Sequence, residues 1–202
     1  MIFATQCAGC DARGASLCRT CRFALVARSL PAAPPGVIAA VAFSGRARQV
    51  LLGFKYHNRR AVAAHLAGLL VNRMARSDTS ADVVTWAPTS PRRRRGRGFD
   101  QAELIARQVA RQLGLPCRRL LERDGAGDPQ TGRGRARRFH GPQFRAHPRV
   151  PRARILLVDD VVTTGATLAS AAAVLHRAGA VDVVRAAVAA TPAGRTSVQR
   201  VA

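Results

Sequence analysis

Ile155-Leu156-Leu157-Val158-Asp159-Asp160-Val161-Val162-Thr163-Thr164-Gly165-Ala166-Thr167-Leu168 is the stretch that decides the fold of this chain. It opens as a continuous apolar run, the pattern of a parallel strand buried on both faces. Two adjacent carboxylates are expected to end the strand. A short Thr/Gly loop follows, then an Ala-rich helix with Leu168, Ala172 and Leu175 along one side. This order puts two acids and a row of unpartnered backbone N–H groups at the carboxyl end of a strand, where open α/β sheets bind ligands. The N-terminus of a helix favours an anion through its free N–H groups and its dipole. The acids beside it repel a bare phosphate, so the combination suits a phosphate at one end with hydroxyls or Mg²⁺ nearby. A sugar phosphate meets that description. The alternative is an ordinary strand-to-helix turn with an acidic edge and Thr capping.

Outward from this stretch the pattern remains α/β. Residues 181–189 read as a further strand, and strand, helix, strand without a hairpin implies a parallel crossover. Residues 37–43 and 83–87 are strand candidates. Helical periodicity covers 46–54 and 60–75, with Val62, Leu66, Leu69 and Leu70 on one face. Lys55-Tyr56-His57-Asn58-Arg59 is a basic junction between them. The strand at 83–87 stops at Pro88-Thr89-Ser90-Pro91, because Pro cannot donate to a ladder. A basic loop is expected next, Arg92-Arg93-Arg94-Arg95-Gly96-Arg97-Gly98. Asp100 and Glu103 then resemble a capping box. Ile105, Val109 and Leu113 form the apolar face of the helix, and Gly114 and Pro116 end it. Residues 124–154 are polar and rich in Arg, Gly and Pro, and read as a lid or an insertion.

The length of 202 residues suits one α/β domain with a small appendage. No apolar run is long enough to span a bilayer. Residues 1–6 carry neither a basic region nor a long apolar stretch, so no secretory signal is expected and a cytoplasmic location follows as the default. The formal charge of +22 attracts nucleic acid, anionic surfaces and phosphorylated ligands. Lys55 is the only Lys, all other basic residues of this type being Arg. Such a bias also arises from a GC-rich genome, so the charge has two explanations. Aromatic residues make up 4%, which leaves few platforms for stacking single-stranded bases and disfavours an OB-fold or RNA-recognition sheet.

Cys7-x-x-Cys10 and Cys18-x-x-Cys21 form two knuckles separated by a short spacer. Their spacing suits tetrahedral Zn²⁺ held by four thiolates. Four thiolates leave no open position, so such a metal is structural. Redox-active pairs and unligated buried thiols are the alternatives. Cys117 reads as a half-buried strand residue. Residues 1–30 are taken as a zinc-ribbon module, 30–36 as a Pro/Ala linker, and 37–202 as the main domain.

The Asp-Asp-x-x-Thr-Thr-Gly-x-Thr stretch resembles the phosphoribosyl pyrophosphate (PRPP) motif of type I phosphoribosyltransferases. Together with the double knuckle, Lys55-Tyr56 and Arg97-Gly98-Phe99-Asp100-Gln101-Ala102, it resembles the ComF family over nearly the whole chain. The resemblance implies a type I phosphoribosyltransferase-like parallel sheet flanked by helices, PRPP and Mg²⁺ as ligands, and loss of pyrophosphate on attack at ribose C1. It implies that Asp159 and Asp160 are catalytic and hold ribose, with Val161, Thr163, Thr164, Gly165, Ala166 and Thr167 completing the PRPP site. Thr89, Ser90, Arg92, Arg93, Arg97 and Arg138 become pyrophosphate candidates, and Lys55 a weaker one. For Tyr56 and His57 junction packing is the favoured reading. The other function the resemblance implies is DNA uptake during competence, with single-stranded DNA and a helicase as partners and the PRPP site regulatory or vestigial. Acceptor and oligomeric state stay open. Two departures from the family pattern stand out. Asp100 replaces the usual Asn, placing a negative charge near a pyrophosphate site. Phe139 follows Arg138 where the family often has Asn, with Phe144 further on.

Overall fold

The computed structural model describes residues 5–26, 31–123 and 142–192. Its centre is a parallel sheet of β1 (Val37–Ala42), β2 (Val83–Trp86), β5 (Arg154–Val162) and β6 (Asp182–Ala190), in the order β1-β6-β5-β2. Trp86 lies beside Val158, and Asp159 beside Ala187. Cys117 adds a parallel bridge to Val84 beyond β2, where its thiol is part-buried and held above its ordinary pKa, mainly by that burial.

Strand alternation divides the core into two layers. Leu156 and Val158 face a cluster that includes Leu66 and Leu70 of α3 (Ala63–Met74) and Ile105 and Val109 of α5 (Gln101–Leu113). Ile155 and Leu157 face Leu168, Ala171 and Leu175 of α6 (Ala166–Arg177). Small residues on β6, Ala186, Ala187 and Ala189, let helices pack closely on both sides. α5 forms because Asp100 caps it and its apolar residues recur at helical spacing. It ends where Gly114 adopts φ +68. A turn of 3₁₀-helix (Arg60–Val62) precedes α3, so the expected 60–75 helix is regular only from Ala63.

Three expectations need correction. The basic segment after β2 is not a loop but the short helix α4 (Pro91–Arg97). Ser90 caps it, Pro91 enters its first turn, and Gly98 closes it at φ +74, all local signals for a helix. The polar stretch 124–154 is not uniformly irregular. Phe144–Ala146 forms β4, antiparallel to β3 (Leu121–Arg123). Leu121 and Phe144 bury this hairpin against the α6 side of the sheet. The acid pair also fails to end β5, which continues through Asp159 and Asp160 to Val162.

The cysteine segment packs into the main core. Cys7, Ala8, Leu17 and Cys21 share a cluster with Val50, Leu51 and Phe54 of α2 (Gly45–Tyr56). A methyl group at Gly53 would lie 3.1 Å from the Ala8 carbonyl carbon and closer still to its oxygen. Arg46 donates to the Gly9 carbonyl at 2.7 Å. Arg59, just beyond α2, reaches Gln6 and Asp11.

Candidate active site

β2 and β5 are neighbours, and the helices that follow them lie on opposite faces of the sheet: α5 after β2 and α6 after β5. The chain therefore parts at their carboxyl ends and leaves a crevice, the position where doubly wound sheets bind ligands. Pro88 to Ser90 line it from β2. Asp159, Asp160 and the 163–167 turn line it from β5.

Because successive residues of a strand point to opposite faces, the two acids separate. Asp160 takes the α2 side, where Lys55 Nζ lies 2.8 Å from its Oδ2. Both side chains are largely buried, 16% exposed for Lys55 and 13% for Asp160. Asp159 takes the hairpin side, within the field of Arg123 at the end of β3. Burial and the neighbouring Asp160 charge push the Asp159 carboxyl up to about 8. The Asp160 N–H and Lys55 oppose this without reversing it. The crevice thus holds a carboxyl that keeps its proton to higher pH than an ordinary one, beside an ion-paired one. Asp159 Oδ1 accepts the Asp160 N–H at 2.8 Å.

Thr163, Thr164, Gly165, Ala166 and Thr167 form the turn into α6, with Val161 just before it on β5. Gly165 stands at the N-cap with φ +82 and has no side chain to cover the first N–H groups of the helix. That conformation favours Gly, and Pro34 of the linker passes above it, 3.2 Å from where a Cβ would stand. Thr163 and Thr164 are exposed, and Thr164 Oγ1 accepts the Ala166 N–H at 3.4 Å. The result is a helix N-terminus flanked by two exposed threonines, Thr163 Oγ1 lying 3.1 Å from Thr191 Oγ1, an arrangement suited to a phosphate.

On the opposite wall the basic residues separate. Arg92, Arg93, Arg94 and Arg95 are exposed on α4. Arg97 instead turns back, stacking 5.0 Å from the Tyr56 ring centroid and donating to Gln101 Oε1 at 2.9 Å. Tyr56 is 63% exposed, and what covers it is Arg97, which also donates to its hydroxyl at 3.2 Å. Thr89 and Ser90 serve the turn itself. Thr89 N–H donates to Asp100 Oδ2 at 2.8 Å, and Ser90 Oγ accepts the Arg93 N–H at 3.4 Å. Asp100 is 5% exposed and also accepts the Ala102 N–H. Burial raises its pKa, while backbone donors from Thr89, Glu103 and Ala102 act the other way. Its carboxylate accepts from backbone N–H groups, and the residue also lines the cavity beside the 88–91 turn. Arg138 and Phe139 lie outside the described residues. Phe144 is buried, with Arg123 5.8 Å from its ring centroid.

Sequence reading missed two residues here. Arg123 feels the charges of Arg93, Asp159 and Asp100, and with Arg94, Arg119 and Trp86 it lines a cavity beside the 88–91 turn. Only the hairpin brings it there, and nothing in its neighbours Glu122 and Asp124 signals that. Gln101 is 2% exposed with its Nε2 unpartnered among the described residues. It lay inside the quoted Arg-Gly-Phe-x-Gln-Ala element, where a buried amide was the available signal.

The four sulfurs of Cys7, Cys10, Cys18 and Cys21 lie within 4.8 Å of one another, and Cys10 and Cys18 are 3.7 Å apart. Tetrahedral Zn²⁺ with Zn–S near 2.3 Å requires sulfur separations of about 3.8 Å, so the cluster fits the ion. Cys18 caps α1 (Arg19–Ala24), and its own N–H donates to Cys7 Sγ at 3.3 Å. For Cys7, burial acts to raise the pKa. Backbone donors from Cys18, Gly9 and Cys10 outweigh it and bring the thiol to about 6, which favours a thiolate.

A family model of the phosphoribosyl transferase domain matches residues 100–201. The chain belongs to that family. The matched residues include the acid pair and the turn into α6. The ComF resemblance is borne out by a curated relative. The chain is 36% identical over 138 residues to "DNA utilization protein YhgH" of Salmonella typhi, and equally to that of Salmonella typhimurium. The match covers 64% of this chain and 60% of each relative, so it spans less than two thirds of their length. Among solved structures, the chain is similar to glutamine PRPP amidotransferase from B. subtilis, at 24% identity and TM-score 0.45, over 62% of this chain and 25% of that one. It is also similar to purine phosphoribosyltransferase from Pyrococcus horikoshii Ot3, at 17% identity and TM-score 0.41, over 66% and 76%.

Proposed function

We propose that the crevice binds PRPP with Mg²⁺ and that the chain transfers, or is descended from proteins that transfer, its phosphoribosyl group with release of pyrophosphate. The observation that carries this reading is the acid pair and the open α6 N-terminus on one strand end, at the point where the sheet's connections diverge. Asp159 and Asp160 hold the ribose hydroxyls. Residues 163–167 hold the 5′-phosphate through backbone amides and Thr hydroxyls. The 88–91 turn, with Arg92, Arg93 and Arg123, faces the pyrophosphate. Arg97, tied to Tyr56 and Gln101, supports that wall rather than touching the ligand. Carboxylates and a cationic wall suit Mg²⁺ bound with a polyanion, and the ion's chemistry is to neutralise the leaving pyrophosphate.

In the transfer, the bond between C1 and the pyrophosphate oxygen breaks with its electron pair leaving on pyrophosphate. The acceptor's lone pair then forms the new bond to C1. The protein contributes position and field: acids near the developing cationic sugar and guanidiniums near the departing anion. Residues 1–30 form a structural zinc module and 37–202 the transferase-like domain, and the protein works in the cytoplasm.

Calorimetric titration of PRPP with Mg²⁺ into the wild type and the Asp159→Asn/Asp160→Asn variant tests this. Saturable binding that the variant loses is expected. A folded, zinc-loaded wild type that binds nothing refutes it.

The exposed arginines of α4 favour a second reading, in which the protein handles DNA, in keeping with the name of its Salmonella relatives. Single-stranded DNA binding that weakens steeply with salt, and less steeply once Arg92, Arg93, Arg94 and Arg95 are Gln, supports it. Lack of binding at low salt ends it.

A further inference from the structure

We propose that Lys55 makes occupation of the acid pair by a divalent cation conditional on an anionic ligand. This rests on the crevice being the PRPP site and goes beyond it, to how that site is kept closed to bare metal ions. The ammonium of Lys55 already occupies the cation position on Asp160, at 2.8 Å in a largely buried pair. A bare divalent ion must displace it and leave an ammonium stranded beside the site. A ligand that brings both a cation and negative oxygens exchanges partners instead. The ligand's hydroxyls, with the cation beside them, go to Asp160, and the ammonium goes to the anion.

The residue type supports this. Lys55 is the only Lys in a chain whose other 32 Lys-or-Arg positions are Arg. A guanidinium would grip a carboxylate with a rigid fork. An ammonium is a compact charge on a flexible stem, able to swing between partners. Its position allows it too. Lys55 stands on the last turn of α2, next to Tyr56, whose ring Arg97 covers at 5.0 Å, and its long side chain can leave Asp160 without any movement of the helix. The α2 backbone meanwhile stays fixed by Gly53 against Ala8.

Two measurements on the zinc-loaded full chain test the idea. The first is Mn²⁺ binding, followed by electron paramagnetic resonance without any anionic ligand. Lys55→Met is expected to bind Mn²⁺ at least about tenfold more tightly than wild type, equivalent to 1.4 kcal/mol. Adding Asp160→Asn should abolish that gain. Equal Mn²⁺ affinity in wild type and Lys55→Met overturns the proposal. The second uses the wild type with ¹³Cε-lysine, whose one lysine gives one signal. That signal should stay in place with Mg²⁺ alone and shift with PRPP and Mg²⁺ together. A shift with Mg²⁺ alone overturns the proposal, and this arm decides the matter if the variant does not fold. If calorimetry shows no PRPP binding, the functional reading fails separately, while the Mn²⁺ comparison still reports on Lys55. Inorganic pyrophosphate then serves as the anion in the lysine experiment, and a signal that no anion moves overturns the proposal.

Discussion

Replacing Asp159 by Asn should change how stability depends on pH. In the folded chain burial and the Asp160 charge hold the Asp159 carboxyl at about 8, against an ordinary value of 3.8. The folded state therefore keeps a proton that the unfolded state releases near pH 4. The stabilisation from that proton is fully present below about pH 4 and is lost as the pH rises through about 8. The shift of roughly four units, at 1.36 kcal/mol each, sets a ceiling of about 6 kcal/mol. Asp160 and Lys55 can turn toward water as Asp159 ionises, which returns part of it. Taking half leaves about 3 kcal/mol between acid and alkaline conditions. Asn is nearly isosteric with the protonated acid, and its Oδ1 can still accept the Asp160 N–H. At pH 5, about one unit above the unfolded value, only about a quarter of that gap has opened, so the variant should be ahead by less than about 1 kcal/mol. At pH 9 the variant should be more stable by about 3 kcal/mol, or roughly 6–12 °C for a chain of this size. Thermal unfolding of both zinc-loaded proteins across pH 5 to 9, followed by circular dichroism, gives the comparison. Other titrating groups act on both proteins and cancel in the difference. Parallel curves, separated by the same amount at every pH, would refute the argument.

Gly53→Ala should cost about 1–3 kcal/mol by driving a methyl group into the Ala8 backbone, and should speed loss of metal to a chelator. Denaturant unfolding and zinc release measure the two effects, and an unchanged release rate would argue against close packing of module and helix. Asp100→Ala removes a helix cap and the Thr89 anchor together. It should cost about 1–2 kcal/mol, more than Asp100→Asn, which keeps an acceptor oxygen. Elemental analysis should give one zinc per chain, and a stable metal-free fold would remove the structural role of the four cysteines.

How much of this was legible in the sequence depends on whether a feature is local. The strand Ile155 to Val158, the turn at Gly165 and the helix beyond it are encoded by adjacent residues, and the structure has them in that order. The cysteine spacing likewise brings four sulfurs together. α4 was also legible in principle. Ser90, Pro91 and Gly98 are start and stop signals, but four consecutive arginines hid them behind the expectation of a solvated loop. What could not be read is what depends on contacts far apart in the chain. Arg123 comes within the field of Asp159 only because Leu121 and Phe144 bury β3 and β4 against the sheet. The two acids look like one unit in sequence, yet strand alternation gives each a different neighbour. Asp100 was legible as a helix cap, and the fold has its oxygens on backbone N–H groups; that it also holds the Thr89 N–H across the 88–91 turn was not.

The cysteine segment and the acid pair can be understood as two ends of one mechanical element. A four-thiolate metal site has no open position and performs no chemistry on a substrate. Its physical effect must therefore pass through what it touches, and what it touches is α2. Val50, Gly53 and Phe54 on that helix meet Ala8 and its neighbours, and Arg46 and Arg59 bind the segment on either side. Lys55 follows Gly53 by two residues and ends on Asp160. A helix of 12 residues on its own is marginal in water, so α2 takes its rigidity from tertiary packing. Without the module, one face of α2 would lose its apolar cover, and the ammonium it carries would lose its fixed origin. Within this fold the cysteine knuckles thus set where the only lysine stands, and that lysine sets the charge seen by any ligand approaching the acids.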